Sequence, residues 1–144
     1  MNKAPIIIEI SFQVSVSKVW QAISDPHQMK QWYFDVENFK PIPGIKFVFQ
    51  GGDEHKVYAH YCEVKEAIPF KKLSYSWSYD HHQTDTLVTF ELTAESENRT
   101  RLKLIHEGLD NLPADNKDFA RENFADGWTH IIGIALKEFL EKKS

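Results

Sequence analysis

Residues 102–109 read LKLIHEGL and residues 124–139 read FADGWTHIIGIALKEF, and these two stretches decide the fold class. The first stretch places Leu102, Leu104 and His106 on one side, which is typical of a half-buried strand. The second predicts an amphipathic helix. Its apolar stripe consists of Phe124, Trp128, Ile131, Ala135 and Phe139. A strand followed by such a helix indicates a helix that packs over a sheet.

The residues before these stretches supply the other elements of such a fold. Residues 6–15 alternate apolar and polar side chains, which predicts a first strand. A short helix follows, with apolar residues at helical spacing and Ser15 or Ser17 as its cap. A second short helix is predicted to end near residue 32, because Asp25 is a good N-cap and Pro26 suits the first helical position.

Turn residues divide the rest of the chain into strands and one terminal helix. The predicted strands lie at 35–39, 46–50, 57–66, 73–79, 86–93 and 102–106. The terminal helix is predicted from Asp115, which is a candidate N-cap, to about Lys142. This order indicates an α+β fold, in which the long helix lies on one face of a curved antiparallel sheet of about six or seven strands. We expect one domain over residues 1–144.

The composition bears on the class of function. The formal net charge of −4 lacks the clustered positive charge that nucleic-acid binding needs. The single cysteine, Cys62, allows no internal disulfide, and no signal peptide or membrane span is predicted, so we expect a cytoplasmic protein. Ten Phe, five Tyr and four Trp make up 13% of the chain. This excess of rings indicates a large aromatic core or a lined cavity.

Short motifs in these elements resemble those of one known family. They are residues 19–26 (VWQAISDP) followed by Trp32, Pro43-Gly44 with Lys46-Phe47, Pro69 with Leu73 and Trp77, residues 104–109 (LIHEGL), and Gly127-Trp128. No single motif would suffice, but together they span nearly the whole chain in the right order. The chain thus resembles the activator of Hsp90 ATPase homologue family, within the START-like superfamily.

The resemblance implies a helix-grip fold, in which the sheet wraps around the C-terminal helix and encloses an apolar cavity. Relatives bind lipids, sterols, polyketides or plant-hormone-like molecules, and some catalyse cyclisation or hydroxylation. The chain departs from the family pattern at two positions. Ile45 stands where many relatives have a second glycine, and His60 stands where the fourth strand often has glycine. A histidine there would fill or polarise the cavity differently.

An apolar cavity of this kind needs ring and aliphatic walls with a few directed polar groups. The candidate ligand-binding residues are Trp32, Phe49, Tyr75, Trp77, Val88, Phe90, Leu104, His106, Phe124, Trp128 and Ile131. Each of them also fits a plain close-packed core, which is the simpler interpretation for any single residue. Gly127 would cost stability inside a helix, so we interpret it as a close approach to a strand or as space beside Trp128.

His106 is the most versatile candidate. It would donate to a ligand oxygen or act as an acid or base near neutral pH. The alternative is a structural histidine bonded to backbone. Tyr75 and Tyr79 offer hydroxyls with the same two interpretations, and His60 is a weaker candidate because the inward face of its strand is not clear from the pattern.

The remaining reactive residues have simpler interpretations. Asp80, His81, His82 and Asp85 include metal-ligand types, but neighbouring strand-end side chains diverge and no Cys/His partner set completes a zinc pattern, which favours a solvated hairpin tip. Cys62 is interpreted as an inert buried thiol. No catalytic residue, metal ion or cofactor is predicted.

Three functions stay open. The first is binding of a small hydrophobic or amphipathic molecule, such as a lipid, polyketide or aromatic metabolite. The second is a stress-linked co-chaperone or protein-interaction module, with a chaperone as partner. The third is a cyclase-like or hydrolase-like enzyme that uses His106 with a tyrosine. The sequence favours binding over catalysis and leaves a monomer or a weak homodimer equally open.

Overall fold

A computed structural model gives the fold of residues 5–36, 39–52, 57–79, 86–109 and 121–141. The first elements are β1 (Ile6–Phe12), α1 (Val16–Ser24), α2 (Pro26–Trp32), β2 (Lys46–Gly52), β3 (Val57–Ile68), β4 (Lys72–Tyr79), β5 (Thr86–Ser96) and β6 (Arg99–Glu107). The C-terminal helix consists of α3 (Arg121–His130), a π-helical segment (Ile131–Leu136) and α4 (Lys137–Glu141). The predicted α+β order is confirmed. None of the helices in these ranges combines the length and the apolar character that crossing a membrane requires.

The six strands form one antiparallel sheet in the order β1-β6-β5-β4-β3-β2. The register aligns Ile6, His106, Val88, Tyr75 and Val64 in one row across five strands. Residues that lie directly opposite each other share a face of the sheet. All five are buried, so this inner face holds the core.

Local sequence explains the two short helices. Ser15 accepts a backbone N–H of the first turn of α1 at 3.4 Å, and Asp25 does the same for α2 at 3.0 Å. Pro26 lies in the first turn of α2, where it displaces no hydrogen bond. The indole N–H of Trp32 donates to the carbonyl of Ala22 at 2.9 Å and ties α2 to α1. Both caps and the end of α2 are confirmed.

The strand predicted over residues 35–39 is wrong. Residues 35, 36 and 39 lie outside any helix or strand. The N–H of Phe39 donates to the carbonyl of Val36 at 2.8 Å, which closes a turn. Both side chains are nevertheless buried, so the apolar pattern here reflects core packing and not strand pairing.

The apolar stripe predicted for the C-terminal helix is displaced by one residue in its second half. The buried residues are Trp128, Ile132, Leu136 and Leu140, and the predicted members Ile131, Ala135 and Phe139 are half-buried beside them. The π-helical segment widens one turn and keeps residues four apart on one face. The predicted ends of this helix, Asp115 and Lys142, lie outside the described residues.

Gly127 does not mark a close approach between the helix and the sheet. Beyond its chain neighbours and its own helix backbone, a Cβ at this position would meet no atom of the described residues within 4 Å, so that interpretation is wrong. Open space beside the helix is the interpretation that agrees with the packing.

Candidate functional site

The inner face of the sheet meets the C-terminal helix in a group of aromatic side chains that we call the ring cluster. Its members are Tyr33 and Phe34 after α2, Phe47 and Phe49 in β2, His60 in β3, Tyr75 and Trp77 in β4, Phe90 in β5, His106 in β6, and Phe124 and Trp128 in α3. Each ring lies 4.5–6.4 Å from a neighbour, centroid to centroid. Rings from five strands therefore form one contiguous cluster, and those from β4, β5 and β6 contact the helix directly.

A chain of three hydrogen bonds runs through the centre of the ring cluster. The Nε1–H of Trp128 donates to Nδ1 of His106 at 3.0 Å. Because Nδ1 accepts, the neutral imidazole carries its proton on Nε2, and this group donates to Oγ1 of Thr86 at 2.7 Å. The Thr86 hydroxyl then donates to the carbonyl of Trp77 at 2.8 Å. The chain ties α3 to β4, β5 and β6.

This environment keeps His106 uncharged. Burial lowers the pKa of His106 to about 3, because the imidazolium would lose its hydration. Both ring nitrogens already have side-chain partners. A group that is neutral at pH 7 and has no free nitrogen is poorly placed for general acid–base catalysis. The geometry favours a structural role, through side chains and not through the backbone.

His60 also lies on the inner face of the sheet. Its ring stacks on Phe49 with centroids 4.5 Å apart and planes 7° apart. Phe34 stacks on the same Phe49 ring at 4.5 Å and 21°, and Trp77 packs edge-on against His60 at 4.8 Å. A histidine at this strand position therefore fills part of the interior with a stacked ring.

Tyr33 and Tyr75 form a hydroxyl pair inside the ring cluster, with their oxygens 2.7 Å apart. Tyr75 is fully buried, and this burial raises the pKa of Tyr75 well above its usual value. Tyr33 is half-buried and stacks on both Trp32 and Trp128, at 5.0 and 6.1 Å. The pair is a neutral polar group in apolar surroundings.

The fold brings most of the predicted site residues together. Ring contacts join Phe49, Tyr75, Trp77, Phe90, His106, Phe124 and Trp128. Val88 and Leu104 are buried on the same inner face. Trp32 reaches the cluster through Tyr33, and Ile131 is half-buried in the π-helical segment. The side chain of Tyr79 and the hairpin residues 80–85 lie outside the described residues.

The predicted site residues did not include Phe47, which lies two residues before Phe49 in β2, and they also missed two contributors after α2, Tyr33 and Phe34. Both follow the last residue of α2, and both contact Phe49. The signal was the run of three aromatic residues, Trp32-Tyr33-Phe34, at the end of a predicted helix. Residues at such a helix end can turn back onto a sheet, which helical periodicity alone does not indicate.

Side chains fill the space between Trp77, His106 and Trp128. Their centroid separations are 5.4, 5.5 and 6.0 Å, and a hydrogen bond joins the last two. No ligand-sized gap lies among these three rings. A ligand would therefore lie beside this trio or displace one of its members.

Other reactive groups offer little chemistry. Burial raises the pKa of the Cys62 thiol, so it stays protonated and is a weak nucleophile. Among the residues that the structure describes, no group of three or more His, Cys, Asp or Glu side chains is placed to hold a metal ion.

Solved structures of similar fold include three that cover nearly all of this chain. Protein MLL2253 from Mesorhizobium loti is 26% identical with a TM-score of 0.79, over 98% of this chain and 99% of that one. DynU16, a putative protein in the dynemicin biosynthetic locus, is 22% identical with a TM-score of 0.79 over 97% of this chain, which spans only 48% of DynU16. The Aha1 dimer from Colwellia psychrerythraea is 19% identical with a TM-score of 0.74, over 97% and 98%.

No curated protein sequence matches the chain. A family model does match. It is described as Activator of Hsp90 ATPase homolog 1-like protein and covers residues 13–141, from the end of β1 to the end of α4. This match confirms the resemblance read from the motifs, and the arrangement of sheet and helix confirms the helix-grip fold. The chain therefore belongs to the family of Activator of Hsp90 ATPase homolog 1-like proteins.

Proposed function

We propose that the protein binds a small hydrophobic or amphipathic molecule, such as a lipid, polyketide or aromatic metabolite, between the sheet and the C-terminal helix. The observation that carries this proposal is the ring cluster, in which rings from five strands adjoin one another and those from β4, β5 and β6 contact Trp128 or Phe124. Such an interior offers stacking and dispersion contacts to an apolar ligand. DynU16, which has a similar fold, is described as a putative protein in the dynemicin biosynthetic locus, and this supports a small molecule as the ligand.

The polar groups of the ring cluster suit an uncharged ligand. Burial keeps His106 neutral, and the hydroxyl pair of Tyr33 and Tyr75 can reorient to donate to a ligand oxygen. No Lys, Arg, Asp or Glu is buried among the described residues. An ionised group would therefore lose its hydration inside without gaining a partner, which is costly. Any charged end of an amphipathic ligand would stay at the surface.

The half-buried members of the ring cluster mark where a ligand would first make contact. Tyr33, Phe34 and Phe124 are partly exposed, whereas Phe49 and Trp128 beneath them are buried. The rings at the centre are in contact with one another. Binding would therefore begin at the partly exposed rings and require some of them to shift.

A pair of substitutions on the C-terminal helix tests this proposal. Ala135 is half-buried against the core, and Ile134 beside it is largely exposed. We expect Ala135→Trp to fill space under the helix and weaken binding of the neutral fluorescent probe N-phenyl-1-naphthylamine at least tenfold. Ile134→Trp adds the same side chain outside and should leave the affinity unchanged. Circular dichroism would verify that both variants fold.

Binding of the same probe to the wild-type protein and the two variants can also contradict the proposal. Bound ligand should raise the melting temperature of the wild-type protein, and this rise should continue with the logarithm of the ligand concentration above the Kd. If the probe shows no saturable binding, or if the two tryptophan variants bind it equally, the interior site is rejected. If the probe does bind, a thermal-shift screen of neutral aromatic and lipid libraries would identify candidate natural ligands.

A co-chaperone or protein-interaction function is the second candidate, because the matched family model carries the description of an Hsp90 ATPase activator. A similar structure is also described as a dimer. The β3–β4 turn presents exposed Ile68 and Phe70, which a protein partner could cover. The test is the ATPase rate of Hsp90 with and without the protein. A stimulation that Ala135→Trp leaves intact and that Phe70→Ser abolishes would favour this candidate over the first.

A further inference from the structure

The outer face of the sheet carries a cleft where β3 and β4 separate. Regular pairing stops after Tyr61 and resumes at Val64. Between these points, Oγ of Ser76 accepts the N–H of Glu63 at 2.9 Å, and Oγ of Ser78 donates to the carbonyl of Tyr61 at 3.0 Å. Serine side chains thus take the place of direct hydrogen bonds between the two strands.

The cleft combines an apolar wall with two lysines, Lys46 and Lys65, and one carboxylate, Glu63, so lysine is in excess by one charge. Its volume is about 320 Å³, at the lower end of the range for small-molecule sites. The wall is the cross-strand pair Val48 and Tyr61, which are 46% and 41% exposed. The Nζ of Lys65 lies 3.5 Å from the Glu63 carboxylate, but Lys46 has no ion-pair partner among the described residues. Its ammonium group is available to a ligand.

Ser76 adds an unused hydrogen-bond donor to this cleft. Its side chain lines the cleft although the residue is only 9% exposed. The oxygen already accepts the Glu63 N–H, so the hydroxyl proton is left to donate, and the described part of the chain offers it no acceptor. A buried donor without an acceptor costs free energy. A ligand oxygen would recover that cost.

We propose that this cleft binds a small amphipathic carboxylate. The carboxylate lies between the Lys46 ammonium and the Ser76 hydroxyl, and the apolar part of the ligand packs against Val48 and Tyr61. Hydrogen bonds to an ionised acceptor are shorter and stronger than neutral ones, which favours an anion over an amide here. Phe47 and Cys62 also line the cleft, but Lys46 and Val48 point away from the face that carries the Phe47 side chain, so the groups that would bind the ligand lie on the face opposite the ring cluster.

Phenylacetate and its uncharged isostere phenylacetamide test the proposal. In NMR titrations of the full chain, phenylacetate should shift the amide signals of Glu63 and Ser76 along a saturable curve. Phenylacetamide should bind roughly fivefold more weakly, since an exposed charge pair contributes up to about 1 kcal/mol. Lys46→Gln should weaken phenylacetate binding by a similar factor. Lys71→Gln removes the same charge from an exposed lysine outside the cleft and should have no effect.

Three results would overturn the proposal. The first is the absence of saturable shifts at Glu63 and Ser76. The second is equal weakening by Lys46→Gln and Lys71→Gln, which would indicate general attraction to positive charge. The third is a set of shifts centred on Trp128, which would place phenylacetate in the ring cluster. Because the cleft and the ring cluster lie on opposite faces, failure of one site does not decide the other.

Discussion

The indole Nε1–H of Trp128 donates to Nδ1 of His106 at 3.0 Å, and this hydrogen bond joins the C-terminal helix to the last strand of the sheet. Both residues are buried, and His106 continues the chain to Thr86. Buried polar groups stabilise a fold only when each has a partner. The docking of the helix therefore depends on a small, fully paired polar chain within an aromatic interior.

Replacing Trp128 by phenylalanine keeps a ring but removes the donor. Nδ1 of His106 would then be buried without a partner, and we expect the free energy of unfolding to fall by about 1–3 kcal/mol beyond the loss of ring area. Urea denaturation measures this. Trp20→Phe is the control, because Trp20 is also buried but its indole nitrogen has no partner among the described residues. Equal losses in the two variants would contradict the role of the hydrogen bond.

The stability of the protein should fall as the pH drops from about 6.5 to about 3. Between the usual pKa of 6.5 and the folded value of about 3, the unfolded chain binds a proton at His106 and the folded chain does not. Each pH unit in this window then costs up to about 1.4 kcal/mol. Thermal melting across this pH range measures the slope.

His106→Gln isolates that contribution. The amide of glutamine can accept from Trp128 and donate to Thr86, but it does not titrate. Hydrogen bonds also lower the pKa values of Glu95 and Glu141. Protonation of these two carboxylates at low pH therefore destabilises the wild-type protein and the variant alike. We therefore expect a shallower slope in the variant. Identical slopes would mean that His106 does not become charged on unfolding.

The tyrosine pair should behave as a coupled unit. Tyr33→Phe should cost about 1 kcal/mol, because the buried Tyr75 hydroxyl loses this partner, and Tyr75→Phe should also cost stability, because it removes the same hydrogen bond. The double variant should cost less than the sum of the two, because the shared hydrogen bond is lost only once. Chemical denaturation of the four proteins gives the coupling energy, and strict additivity would show that the 2.7 Å contact contributes nothing.

Gly127→Ala should stabilise the protein by up to about 1 kcal/mol, because alanine favours a helix and its Cβ meets no atom within 4 Å. Gly44→Ala is the opposite case. Gly44 also has free space, but its φ of +94° disfavours any Cβ, so we expect a loss of stability. Melting temperatures that move in the same direction would contradict this distinction between space and backbone conformation.

Much of the fold could be predicted because its signals are local. Alternation identified β6 with its buried Leu102 and Leu104, and cap chemistry at Asp25-Pro26 placed α2. The failure at residues 35–39 came from apolar residues that are buried in a turn, where alternation carries no pairing information. The face of β3 could not be predicted either, because His60 is a polar residue that stacks inside.

The sequence predicted most residues of the site, but it did not predict which of them contact each other. Rings on alternating strand positions had to meet somewhere, which is why Tyr75, Trp77 and Trp128 were identified. Which nitrogen of His106 meets which partner depends on residues 20 and 22 positions away, and sequence spacing contains no such information. The position of Tyr33 likewise depends on how the chain leaves α2.

The π-helical segment accommodates one more residue in the C-terminal helix than a regular α-helix would need to place the same buried side chains. The buried series Trp128, Ile132, Leu136 and Leu140 advances four residues at a time. In an ideal α-helix each such step overshoots a full turn by about 40°, and the wider turn absorbs the excess. If Gly133 were deleted, the same four anchors would follow one another at four, three and four residues, the eleven-residue spacing of an ordinary α-helix. The C-terminal helix could therefore pack on the ring cluster with or without Gly133. In the shorter chain it would be a regular α-helix with no π turn.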